Sequence, residues 1–331
     1  MMRLKAEWER QNLILMAFPH KNSDWKDDLE NARVPFFKIA QAIAYSQLVY
    51  LLVEDIEEAK RYFCSTTNII FIKEEFNDTW VRDYGPLSLE RENRALLADF
   101  IFNGWGGKFE ATKDNLVTKN LHKKGFFGNT PLKSYNFVLE GGAIESDGKG
   151  TILTTKSCLL NPNRNGDISL KEVEEVLKNS LGAKRVLWIE NSYLEGDDTD
   201  GHIDMLARFI SFDTIAYIKC EDSNDIHYKS LLEMEKELKS LRMADGRRYN
   251  LIPLPFTEPK YKNNRRLPTS YANFLITNKA VIVPSYQSPK DKEAREIFKR
   301  LFGDREIILI DSLKLVEQGG SIHCSTMQVS F

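Results

Sequence analysis

The chain predicts an α/β fold, a five-bladed α/β propeller of repeated hairpin–helix–strand units around a central channel, closed by its own N-terminal strand. Three observations predict it. A hairpin pattern recurs, a helix and a short strand follow several of the hairpins, and the two chain ends each carry part of a unit.

The hairpins come first. Residues 83–100 read DYGPLSLERENRALLADF: an apolar run, a polar turn, then a second apolar run. Residues 141–159 read GGAIESDGKGTILTTKSCL, with the turn at Ser146-Asp147-Gly148. Residues 201–220 read GHIDMLARFISFDTIAYIKC, turning near Phe212-Asp213. Residues 270–286 read SYANFLITNKAVIVPSY, turning at Asn278-Lys279. Alternation broken by turn residues is the hairpin signature.

Helices follow. Residues 170–181, LKEVEEVLKNSL, put Leu170, Val173, Val176, Leu177 and Leu181 on one side, with Ser169 as N-cap and Gly182 as C-cap. Residues 226–241 and 290–302 repeat the pattern. Short strands are expected after them at 185–189, 249–253 and 305–310. The hairpins start near residues 83, 141, 201 and 270, and a last strand near 321, a period of about 60 residues. That last unit lacks its second strand, while QNLILMAF at 11–18 is an apolar strand without a partner. Pairing the two completes the last unit. An open α/β sheet is the alternative that the alternating elements also permit. No linker or low-complexity tract divides the chain, so residues 1–331 are expected to form one domain.

Composition narrows the function. The 331 residues are 42% hydrophobic and 28% charged, with a net charge of -2, which gives no electrostatic case for nucleic acid or an acidic membrane. Short basic pairs, Lys123-Lys124, Arg247-Arg248 and Arg265-Arg266, are expected to be solvated surface. The apolar run near the N-terminus, residues 13–18, is shorter than the roughly 7–15 residues of a secretory core or the ~20 of a span. A cytoplasmic location is the expectation. Four cysteines, Cys64, Cys158, Cys220 and Cys324, include no C-x-x-C, so neither a zinc knuckle nor a redox pair is indicated. Cys64, Cys158 and Cys220 lie in or beside apolar runs and read as small buried hydrophobes.

The polar residues with chemical potential fall at matching places in the units. Asp83 opens the first hairpin, Glu140 precedes Gly141-Gly142, His202 and Asp204 open the third, and Cys324 follows Gly319-Gly320 in the last strand. Strand ends of a propeller converge on its channel, so these residues are expected to face one another. Side chains alternate along a strand, so His202 and Asp204 share a face, whereas His323 points away from Cys324 and is not its base. No metal is expected, because a cysteine suits a hard cation poorly and no spacing matches a zinc pattern. Anions beside a thiol suppress the thiolate, so the set makes sense for a cationic substrate. A planar guanidinium pairs bidentately with carboxylates, and Asp83 and Asp204 would hold it over Cys324. The acidic run at 195–200, EGDDTD, suits an amine at the substrate's far end, and Trp80 and Trp105 are candidates to line the chain between. Simple core packing is the alternative for Trp105.

Six segments, FNDTWVRDYGP (76–86), FNGWGGK (102–108), LEGGAIESDGKG (139–150), CLLNPNRN (158–165), GDDTDGHIDMLARF (196–209) and GGSIHCSTMQ (319–328), resemble the agmatine deiminases of the guanidine-modifying pentein superfamily. The likeness spans the chain. It implies the pentein propeller, no cofactor, and agmatine as the small-molecule partner, hydrolysed to N-carbamoylputrescine and ammonia in polyamine synthesis. By the same likeness Cys324 is the nucleophile, His202 the general acid and base, Asp83 and Asp204 the guanidinium-binding carboxylates, and Glu140 the acid that supports His202. Trp80 and Asp198 then match positions that line the channel and meet the distal amine. Ser321 and Asp200 depart from the usual asparagines. Peptidylarginine deiminase, arginine deiminase and a non-enzymatic pentein binding module are the rival readings. The sequence is compatible with a homo-oligomer.

Overall fold

The computed structural model describes residues 2–331. Those residues form five sheets of three or four strands and one two-stranded ribbon. In each of the five sheets an antiparallel pair is extended by a parallel strand. Leu87–Arg91 pairs antiparallel with Arg94–Ile101, which pairs parallel with Leu132–Val138. The same pattern joins Ile144–Ser146, Thr151–Thr155 and Arg185–Ile189. It recurs in Ala207–Ser211, Thr214–Lys219 and Asn250–Pro255, and again in Leu275–Ile276, Ala280–Ser285 and Glu306–Asp311.

The fifth sheet joins the chain ends, as the leftover strands require. Thr326–Val329 pairs antiparallel with Leu13–Ala17, which pairs parallel with Leu48–Val53. Every residue of Leu13–Ala17 is buried. A strand covered on both faces has no polar side, which is why LILMA shows no alternation.

A parallel neighbour needs a crossover, and helices supply it. Leu170–Leu181 has a capping box between Ser169 and Glu172 and a left-handed Gly182 at its end. It buries Val173, Leu177 and Leu181, each stabilising the fold by about 1.5–3 kcal/mol. Tyr228–Ser240 and Lys290–Leu301 do the same work in the next two units. The helix Leu29–Ala44 and the strand Ile69–Lys73 lie in a stretch where the sequence suggested no element. No described helix is long and apolar enough to cross a membrane.

Two cysteine and arginine expectations need correcting. Cys64 is exposed, because the segment that carries it is a polar surface loop, RYFCSTTN. Arg266 is buried and ion-paired with Asp225 at 2.6 Å, while Arg265 stands at the mouth of the main cavity. A short ribbon, Tyr261–Lys262 with Arg265–Arg266, carries both and turns one arginine inward.

Candidate active site

The predicted site residues converge at the ends of the hairpins, but from turns rather than from strands. The strands begin only at Ala207 and Thr326. Ahead of them Ile203–Met205 is a 3-10 turn, with Leu206 N–H donating to Ile203 O at 2.9 Å. Cys324 sits in a similar turn, closed by Thr326 N–H on His323 O at 3.1 Å. Asp83 lies in another, its N–H on Trp80 O at 3.1 Å, four residues before the hairpin it was expected to open. Strand alternation therefore does not apply to His202, Asp204, His323 or Cys324. Local turns keep their backbone out of the ladders and let side chains project from the sheet ends.

Gly142 marks the meeting point. A Cβ there would stand 2.6 Å from His202 Nδ1, 2.9 Å from Asp83 Oδ1 and 3.1 Å from Asp204 Oδ2. Only glycine fits, and its N–H donates to Asp83 Oδ1 at 2.9 Å. Gly320 plays a like part for Trp80, whose ring would lie 2.4 Å from an added Cβ.

The nucleophile candidate is buried. Asn273 Nδ2 donates to Cys324 Sγ at 3.2 Å, and the thiol faces Asp204 Oδ2 at 3.8 Å. Asn273 Oδ1 accepts the backbone N–H of His323 and of Cys324, which fixes the amide so that its NH2 must face sulfur. Burial, then Asp204 and Asp83, hold the Cys324 thiol well above its ordinary pKa. Both effects favour the thiol over the thiolate.

His202 is fully buried. Its Nε2 faces Glu140 Oε2 at 3.4 Å, and its Nδ1 lies 3.8 Å from Asp83 Oδ1 without a hydrogen-bond partner. Burial works to lower its pKa, but Asp83, Cys158 and Glu140 outweigh that and leave it well above the ordinary histidine value. Glu140 is itself held by Arg164 Nε, at 2.9 and 2.7 Å. Burial would raise the Glu140 pKa, but His202 and Arg164 bring it below its ordinary value. Arg164 also reaches Asp200 Oδ2 at 2.7 Å and Thr199 O at 2.8 Å, so one guanidinium ties Glu140 to the 196–200 segment.

The two aspartates are held differently. Trp105 Nε1 donates to Asp83 Oδ2 at 2.9 Å, so this indole is no mere packing residue. Trp105 adopts φ 55 between left-handed Gly104 and Gly106, a conformation costly for a bulky side chain. Asp204 Oδ2 meets His323 Nδ1 at 2.7 Å, while its Oδ1 is buried without a partner. His323 Nε2 meets Glu7 Oε2 at 2.6 Å. The conclusion that His323 is no base for Cys324 therefore stands for another reason: both its nitrogens are engaged by carboxylates.

A cavity of about 170 Å³ opens over these groups, lined by Trp80, Asp83, Trp105, Met205 and Cys324 within and by Asp24, Asp78, Asp198, Arg265 and Glu317 farther out. Of the acidic run, Asp197 is turned inward onto Thr199 and Gly201, and Asp200 is taken by Lys108 and Arg164. Asp198 remains half exposed at the mouth, 3.9 Å from Arg265. Asp78, which sequence reasoning missed, is pushed up to about 7 by burial. Cys158 is buried as expected, yet its Sγ lies 3.6 Å from Glu140 Oε2. Glu140, Cys158 and His202 could in type hold a metal, their ligand atoms lying within 4.8 Å of one another. Arg164 already supplies a positive charge there, and a proton-rich His202 is a poor ligand.

Known proteins share this arrangement of chain. A Legionella pneumophila protein named "Putative agmatine deiminase" is 37% identical over 332 residues, covering 98% of this chain and 94% of that protein. An agmatine deiminase structure from C. jejuni, carrying a cysteine-to-serine substitution and with substrate bound, superposes with a TM-score of 0.95 at 36% identity, covering 100% of this chain and 97% of that one. A Porphyromonas gingivalis structure named "Putative Arginine Deiminase" gives 0.95 at 45% identity, covering 99% and 98%. The mixed α/β fold is thus that of the solved, pentein-type agmatine deiminases. Residues 3–330 match the family described as Porphyromonas-type peptidyl-arginine deiminase, and the chain belongs to that family.

Proposed function

We propose that the chain is an agmatine deiminase, a single domain whose five sheets are the blades of an α/β propeller around the site. One observation carries the reading. The Cys324 thiol and the Asp83 carboxylate line one small cavity, and beside them lie two buried groups with an unpartnered atom each: Asp204, whose Oδ2 is 3.8 Å from the thiol and whose Oδ1 is free, and His202, whose free Nδ1 is 3.8 Å from Asp83 Oδ1. A guanidinium donates to Asp204 and Asp83, offsets the anions that suppress the thiolate, and brings the nitrogen that will leave within reach of His202.

The chemistry follows. Binding of the cation lowers the cost of ionising Cys324, and the thiol proton passes to solvent. The thiolate attacks the central guanidinium carbon, forming the C–S bond. Protonated His202 gives its Nδ1 proton to the departing nitrogen, the C–N bond breaks, and ammonia leaves. The S-alkylthiouronium that remains is attacked by water, whose proton His202 takes. The C–S bond then breaks, the adduct's hydroxyl proton passes to solvent, and the thiolate returns with a neutral urea released. Glu140 orients His202 and keeps it proton-rich, and Arg164 holds Glu140 ionised. The neutral urea loses its pairing with Asp83 and Asp204, which favours release.

Substrate choice rests on the mouth. Asp24, Asp78, Asp198, Glu317 and Arg265 line it. Glu317 is paired with Lys262 and Lys314, and Asp78 is buried with its pKa pushed up to about 7, which leaves Asp24 and Asp198 as the acids set against Arg265. This balance suits the amine of agmatine better than the α-carboxylate of arginine, with Trp80 along the aliphatic chain. Arg265 together with the arginine deiminase name of the P. gingivalis structure favours arginine as the second reading. Ammonia release from agmatine, arginine and a blocked peptidyl arginine separates them. Agmatine is expected to give the highest kcat/KM, and equal or greater turnover of arginine would overturn the choice. Cys324→Ala is expected to abolish turnover while still binding agmatine, and full activity in that variant would end the mechanism.

A further inference from the structure

His323 is a buried ionisable group that the mechanism above does not use. It follows Ile322 and precedes Cys324, yet its ring turns away from the sulfur into a run of buried charges. Nδ1 meets Asp204 Oδ2 at 2.7 Å and Nε2 meets Glu7 Oε2 at 2.6 Å. An ionised carboxylate only accepts, so the contact with Asp204 requires the proton on Nδ1. Its backbone N–H is held by Asn273, at 3.1 Å to the carbonyl and 2.9 Å to Oδ1. Glu7 is fixed in turn: Ile276 N–H donates to Oε1 at 2.7 Å, Arg208 donates to Oε2 at 2.9 Å, and Arg82 stands at 3.6 Å. Arg208 closes the run on Glu145. Every one of these side chains is buried.

We propose that His323 is a positioning residue for guanidinium recognition, clamping Asp204 from behind, with Glu7 as its anchor. This rests on the reading that Asp204 binds the guanidinium. A carboxylate on a free side chain can turn either oxygen toward Cys324, whereas here it is Oδ2 that stands 3.8 Å from the thiol. The His323 bond commits Oδ2 and fixes the carboxylate plane. Oδ1 is then left without a hydrogen-bond partner, available to a bound cation. Preorganisation of this kind saves the ordering cost at the moment of binding. It also brings residues 5–12, the segment that carries Glu7, into the recognition machinery.

Two near-isosteric variants test the clamp. The amide nitrogen of asparagine reaches about where Nδ1 stands, and that of glutamine about where Nε2 stands. On the Cys324→Ala background, agmatine binding is measured by titration calorimetry with His323→Asn or His323→Gln added. His323→Asn keeps the donor to Asp204 and is expected within about threefold of its parent. His323→Gln keeps only the Glu7 side and is expected to bind roughly tenfold more weakly or worse. Equal loss in both variants, or parental affinity in His323→Gln, would overturn the proposal. A merely structural histidine gives no such ordering. A Cys324→Ala parent that binds no agmatine would count against the substrate reading instead. Nitrogen-15 NMR of histidine-labelled protein needs no substrate and no His323 variant. It is expected to show a slowly exchanging proton on His323 Nδ1, shifted in Asp204→Asn. Absence of a proton on Nδ1 would sink the clamp even if the variants failed to fold.

Discussion

Asp83 and Asp204 are the same residue type, both buried, converging on Gly142, yet the structure gives them opposite electrostatics. Asp83 is held by neutral donors, the Trp105 indole and the Gly142 amide. Burial, reinforced by Asp204 and Glu140, pushes its pKa up, and His202 and Trp105 only partly oppose that. Asp204 is held by His323, with Arg208 and Arg82 behind it. Burial acts to raise its pKa too, but His323, His202 and Arg208 outweigh it and bring it below the ordinary value. The lesson is that a buried carboxylate takes its character from what stands behind it. Asp204 is therefore expected to stay ionised to lower pH than Asp83.

Removing the more readily ionised of the two is expected to have the larger effect. Asp204→Asn deletes a charge-assisted bond inside a dry site and leaves His323 and Arg208 facing one fewer anion. Agmatine binding on the Cys324→Ala background should weaken by about 3 kcal/mol, roughly a hundredfold. The same loss is expected from mildly acidic to alkaline pH. In the Cys324 enzyme the substitution should also speed alkylation of the thiol by neutral iodoacetamide at a given pH, because Asp204 is one of the groups that suppress the thiolate. Weaker agmatine binding with slower alkylation would break this half of the comparison.

Asp83→Asn should cost less, and the cost should depend on pH. A raised pKa means that, as pH falls, wild-type Asp83 gains a proton earlier than an ordinary aspartate. Wild-type kcat/KM is therefore expected to fall on the acid side while the variant changes little there. The ratio of the two should be about tenfold at pH 8.5 and shrink toward acid. On the alkaline side the order reverses. Asp83 is the largest of the groups that raise the His202 pKa, so the variant should lose its protonated His202, and its activity, at lower pH than wild type. A ratio independent of pH would show that Asp83 is ionised as readily as Asp204.

How much of this was legible in the sequence follows from how local each signal is. The helix Leu170–Leu181 could be read to its caps, because Ser169, Glu172 and Gly182 act within a few residues of it. The hairpins were legible because alternation is local too. The helix Leu29–Ala44 was not: Pro35 lies inside it and Arg33 is buried by pairing with Glu58 and Tyr62. Both residues break the expected pattern, and only tertiary partners make them acceptable. In the site, Cys324, Glu140 and Asp83 stood out beside glycines. Arg164, Asn273 and Glu7 did not, since their partners lie 24, 51 and 316 positions away. Nothing local announces such a contact. The turns that carry His202 and Cys324 were misread as strand because each leads directly into one.

Trp105 tests the comparison most finely, because it touches Asp83 and not Asp204. Trp105→Phe keeps the aromatic contacts with Phe102 and Phe109, at 4.9 and 5.4 Å, and removes only the N–H on Asp83 Oδ2. That bond favours the ionised form, so its loss should push the Asp83 pKa higher still. The acid limb of kcat/KM should move to higher pH, with a loss of about 1 kcal/mol, roughly fivefold, near neutrality. Above that limb Asp83 is ionised with or without the indole, and the two enzymes should converge. Convergence would assign Trp105 to Asp83. A fivefold loss that persists at alkaline pH would instead mean that the indole acts on the substrate directly, as a wall of the cavity. Asp83 would then owe its raised pKa to burial and to its neighbouring acids, without help from the left-handed turn that presents Trp105.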